Sequence, residues 1–159
     1  MTPFSHFSVI ALAVLHARKH ESLSRYEVMS LANEQLQILT FPASPGAAYP
    51  ALKKLHLAGM INYNHDRISI TTTGSEMLRE LLVSPPPLPL IEISIRMLAA
   101  NVSNDNGLQK EWRKNIGLFL IRTDDDNPHD QKQESSLALW RSNIRRFVQR
   151  CDLDLSAIK

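Results

Sequence analysis

The sequence predicts a mainly α-helical fold in two parts. Residues 1–83 should form helices with one small two-stranded hairpin, residues 84–89 a connector, and residues 90–159 an all-helical module. Three observations predict this. Apolar residues recur at helical spacing along most of the chain. Two short runs rich in β-branched and aromatic residues flank Asn64-His65-Asp66, a turn-forming triplet. Ser84-Pro85-Pro86-Pro87-Leu88-Pro89 cannot continue a helix and reads as a stiff spacer between the modules.

The elements follow in order. Phe4, Phe7, Ile10, Ala11, Val14 and Leu15 predict a first amphipathic helix. Ser24 caps a second, with Glu27 completing a capping box, and Tyr26, Val28, Met29, Leu31 and Ala32 supply its apolar surface. Ser44 followed by Pro45 is a cap residue before a proline suited to the first helical position. The third helix that starts there keeps Ala48, Leu52 and Leu55 inward and ends at Gly59, a left-handed terminator. Pro50 opposes it, since an interior proline costs about 3 kcal/mol. Its position early in the helix, with Gly46 four residues back, keeps the helix, bent at that point. Met60–Tyr63 and Arg67–Thr71 are the two strands, and Thr72 or Thr73 opens a fourth helix carrying Met77, Leu78, Leu81 and Leu82.

Beyond the prolines, three apolar stripes predict three helices. Ile91, Ile95, Leu98 and Val102 form the first, and Leu108, Trp112, Ile116 and Phe119 the second. Leu137, Trp140, Ile144, Phe147, Val148 and Cys151 form the third. Breaks are expected at Asn104–Gly107 and Thr123–Pro128. Three amphipathic helices in so short a module are marginal alone. Packing against a second copy would stabilise them, which places Ile91, Ile95, Leu98, Trp140, Ile144 and Phe147 at a homodimer interface. Removing residues 90–159 is then expected to leave a monomer.

Composition bounds the function classes. The 159 residues hold 18 Lys+Arg against 16 Asp+Glu, a net charge of +2, and 43% apolar residues, which suffice for a core. No run is long enough to span a membrane. Val9–Leu15 lacks the preceding positive charge of a signal peptide, and the single Cys151 cannot form an internal disulfide. A cytoplasmic protein is expected. So weak a net charge means that any affinity for nucleic acid must come from where cations are placed.

Helix, helix, helix, hairpin, helix is the order of a winged helix-turn-helix. Ser44-Pro45-Gly46-Ala47-Ala48-Tyr49-Pro50-Ala51-Leu52-Lys53-Lys54-Leu55, then Ala58-Gly59-Met60-Ile61, closely resembles the recognition-helix signature of PadR-type transcriptional regulators. Ser24-Arg25-Tyr26-Glu27 resembles the start of that family's second helix, and Ile70-Thr71 through Gly74 the stretch after its wing. The resemblance spans about residues 7–82. It implies a homodimeric repressor on an inverted-repeat operator, controlled by a small-molecule effector held between the modules. Trp112 and Trp140 are conceivable walls for that effector, although a core or dimer-anchor role suits both better.

The residues themselves fit a DNA-facing helix. Gly46, Tyr49, Pro50 and Lys53 share its outer face, and Gly46 with Ala47 keeps its start slim enough for backbone amides and Ser44 to approach phosphate. Lys53 and Lys54 supply phosphate neutralisation, Arg25 would hold the flanking backbone, and Arg67 would reach the minor groove. Tyr26 is expected to pack inside. The chain departs from the family in its short hairpin turn and in Arg25, which replaces a small residue. The alternative reading is a winged-helix protein-interaction adaptor that has lost DNA, which the low net charge and short wing favour.

Other chemistry finds little support. His16 and His20 stand four apart, a metal-binding spacing, but no third ligand accompanies them. Asp124-Asp125-Asp126 reads as a solvated loop, and Arg141, Arg145, Arg146 and Arg150 as a solvent-facing basic stripe. With no phosphate loop, nucleophile elbow or paired-cysteine site, neither catalysis nor a cofactor is expected.

Overall fold

Helix α1 (His6–Ala17) runs through the middle of the fold and is buried on every side from Phe7 to His16. The expected one-sided stripe is therefore a helix apolar around its whole circumference, packed by α2 (Arg25–Leu36), α3 (Pro45–Leu57), α4 (Thr72–Val83) and α5 (Leu90–Val102). This computed structural model describes residues 4–39, 42–84 and 90–125. Within them the chain is mostly helical, with one small antiparallel sheet. The last helix described, α6 (Asn106–Asp125), lies against α4 and α5.

Local chemistry sets the helix ends. Ser5 caps α1, its hydroxyl accepting from the Ser8 amide. Ser24 and Glu27 form the predicted capping box on α2. Gly59, at φ +74°, ends α3, and the Thr71 hydroxyl accepts from the Gly74 amide to start α4. Gly74 is also required sterically, because a Cβ there would stand 2.2 Å from the Met60 carbonyl oxygen.

The sheet has three strands in the order β1-β3-β2, where the sequence predicts two: β1 (Leu23–Ser24), β2 (Ile61–Asn64) and β3 (Arg67–Ile70). Leu23 pairs with Ile68, and Ile61 with Ile70. A two-residue strand carries no alternation to detect, so β1 exists only through its partner. The hairpin turn is tighter than expected, with His65 and Asp66 alone between the strands and His65 at φ +56°.

The described residues of the second part, 90–125, share the core of the first. Residues 85–89 lie outside the described residues, and on either side of them one apolar core is continuous. Ile95 and Leu98, expected at an interface between copies, are buried inside this chain, along with Ile93, Met97, Ala99 and Ala100. The reason is α1, whose exposed-looking far side needs a cover that α5 provides. Leu108, Trp112 and Ile116 of α6 are buried as well, so Trp112 belongs to the core. Asn115 of α6 donates to the carbonyls of Leu82 and Ser84, closing the end of α4. Helix α6 continues through Thr123–Asp125, where a break is expected. The side chains of Ile91 and Phe119, and residues Trp140, Ile144 and Phe147, lie outside the described residues.

His16 is one of four polar residues buried among the described residues, with Ser8, Arg96 and Ser103. Its Nε2 donates to Asp105 Oδ2 at 2.9 Å, and its Nδ1 lies 3.1 Å from Ser75 Oγ. The metal-like spacing to His20 has no structural meaning, since α1 ends at Ala17. The other carboxylate oxygen of Asp105 accepts from the amides of Gly107 and Leu108, capping α6. The His16 hydrogen bond, more than the amides, holds the Asp105 carboxyl below the ordinary value of 3.8 against the opposing effect of burial. A depressed carboxylate stabilises the fold above its ordinary value, and that contribution is lost as pH falls through the folded-state value. Asp105→Ala should therefore cost roughly 1–3 kcal/mol at pH 7. The gap to the parent protein should begin to narrow below about pH 4 and shrink further as pH falls, as urea unfolding from pH 7 to about pH 2 would reveal.

Candidate nucleic-acid interface

Helix α3 touches the rest of the molecule through one narrow stripe. Ala48, Ala51, Leu52 and Leu55 are buried at helical spacing, and the remainder of its circumference is exposed. Ser44, Gly46, Tyr49, Pro50, Lys53 and Lys54 all lie on that open surface. The helix carries two lysines and a histidine and no carboxylate.

Its start departs in detail from the expectation. Ser44 occupies the cap position, but its hydroxyl makes no capping bond. The Ser44 backbone carbonyl instead accepts from the amides of Ala47 and Ala48. The hydroxyl is thereby left available to an outside group. Pro50 does not end the helix, which runs unbroken from Pro45 to Leu57. The carbonyl that loses its donor belongs to exposed Gly46, where water can replace the missing N–H.

One side chain from α2 joins this surface. The Arg25 guanidinium lies over the Tyr49 ring, 5.6 Å from its centroid. Tyr26 is 68% exposed rather than packed inside. It sits in the first turn of α2, where the core-facing positions are taken by Val28, Ala32 and Leu36. The relative placement of α2 and α3 is held by Asn33, which the sequence reading passes over. Its side-chain amide donates to the Ala43 carbonyl and accepts from the Ala43 amide, each at 2.7 Å. An Asn side chain that mimics a backbone strand in this way leaves no periodic signal.

Arg67 is not a member of this surface. It donates to Ser22 Oγ at 3.3 Å, to the Ser22 carbonyl, and to Glu27 Oε2 at 3.2 Å. Its head is thus turned back toward the start of α2, and the hairpin tip keeps only His65 as a basic group. Glu27 is correspondingly acidic, its carboxyl lowered chiefly by the Ser24 amide hydrogen bond with help from Arg67. The structure therefore gathers Arg25, Ser44, Gly46, Tyr49, Pro50, Lys53 and Lys54 on one face and makes Arg67 a strut between β3 and α2.

Such a face can receive a polyanion: cations, hydroxyls and a slim helix start lie together with no carboxylate on α3. Among the described residues no cluster of His, Cys, Asp and Glu could hold a metal ion, and no helix is long and apolar enough to cross a membrane. Comparisons with family models, curated proteins and solved structures find no match for this chain.

Proposed function

We propose that this chain is a sequence-specific DNA-binding transcriptional regulator of PadR type, with a winged helix-turn-helix formed by α1–α4 and the small sheet. The observation that carries this reading is α3, seated on a single buried stripe with Tyr49, Lys53 and Lys54 open to an incoming duplex. Such a helix fits the major groove, where base edges carry a distinct donor and acceptor code. The retracted Arg67 shifts the expected affinity from the wing to α3 and the start of α2.

The regulator acts as a homodimer on an inverted repeat, and occupancy of that site represses by excluding polymerase. Since Ile95 and Leu98 are used within the chain, self-association rests on the stripe of Trp140, Ile144 and Phe147. A small-molecule effector between the helical elements would relieve binding.

Selection of genomic DNA fragments by the purified full-length protein tests this reading. The expected result is a sharp inverted repeat with half-site centres about 34 Å apart along the duplex. Failure to enrich any sequence would overturn it in favour of the protein-interaction adaptor.

A further inference from the structure

Arg25 opens α2, and phosphate contact on the flank of the duplex is the expectation for a cation there. Its position in the fold points elsewhere. The guanidinium is drawn across onto α3, over the ring of Tyr49. Tyr49 stands between Gly46 and Lys53 on the outer face of α3, three residues after one and four before the other. That places the Arg25 head above the face a duplex would meet with its base edges.

Nothing competes for its donors. Among the described residues, no ion pair or hydrogen bond engages the Arg25 guanidinium, because Glu27, the nearest carboxylate along α2, is taken by Ser24 and Arg67. A cation–π contact holds the head near the ring and leaves the N–H groups of arginine to other acceptors. The two parallel N–H groups of the guanidinium fork match the O6 and N7 acceptors of guanine.

We propose, resting on the DNA-binding reading above, that Arg25 is a specificity-determining residue that reads one guanine in each half-site, with Tyr49 as the positioning residue beneath it. Lysine at position 25 would keep the charge and lose the fork, so it separates base reading from phosphate attraction.

The test compares the parent protein, Arg25→Lys and Tyr49→Leu on the selected site and on single-base variants of each half-site, with equilibrium binding as the readout. Position 25 is exposed and position 49 lies on the open face, and circular dichroism verifies that each variant folds. The expected result is a guanine preference of roughly ten-fold or more at one symmetric position in the parent, lost at that position alone in both variants. A selected site with no such guanine overturns the proposal, as does an Arg25→Lys protein that keeps every base preference while binding all sites uniformly more weakly. In both cases the DNA-binding reading stands. A parent protein that selects no sequence overturns the DNA-binding reading itself, and this proposal with it.

Discussion

Lys53→Glu should abolish retention of the selected operator in a gel-shift assay while leaving the protein folded. Lys53 is exposed on α3 and takes part in no ion pair among the described residues, so the substitution removes no internal contact. Its stability effect should stay within about 0.5 kcal/mol, the usual range for such surface positions. The binding effect is far larger. A hydrogen bond to a charged partner is worth roughly 1.5–3 kcal/mol. Each operator would meet two copies of Lys53, so the loss is roughly 3–6 kcal/mol, about 100-fold to 10,000-fold in affinity. The salt dependence should also change. Two fewer neutralised phosphates lower the slope of log affinity against log salt by about 2. Retardation equal to that of the parent would show that α3 is not the DNA-facing helix.

Truncation after residue 89 should prevent folding, because residues expected at a dimer interface, Ile95 and Leu98, belong to this chain's own core. Helix α5 contributes Ile93, Ile95, Met97 and Leu98 to the core, all essentially inaccessible to solvent. Burying one such side chain is worth about 1.5–3 kcal/mol, so losing four removes roughly 6–12 kcal/mol. A whole domain is stable by only about 5–15 kcal/mol. A gentler variant reports on the same contact: Leu98→Ala should cost about 2–5 kcal/mol by urea unfolding, according to how far the cavity collapses. A 1–89 fragment with a cooperative unfolding transition would show that α1 can be covered without α5.

These two predictions differ in how far each could be read from the chain. The Lys53 surface was legible in advance because it is local: one helix, its period, its cap residues and its lack of carboxylates. The role of α5 was not. Ile95 and Leu98 have an apolar period that says they will be covered and does not say by what. The same period serves a dimer seam or an internal core, and only the position of α1 distinguishes them. Charge behaves likewise. Arg67 reads as a free cation at a wing until Ser22 and Glu27, remote in sequence, are brought beside it. Tyr26 reads as apolar surface until the packing angle of α2 turns it outward.

Residues close together in the chain therefore set the ends of α2, α3 and the hairpin. The Ser24–Glu27 box, the Ser44-Pro45 start, the left-handed Gly59 and the turn beneath the hairpin act over a few residues, where backbone hydrogen bonding and steric limits decide alone. Tertiary structure decided which faces meet: the third strand, the wholly buried α1, the His16–Asp105 link across 89 residues, and the Arg25 head over Tyr49. Each depends on groups far apart in the chain competing for one place, and hydrophobic periodicity specifies burial without specifying the partner.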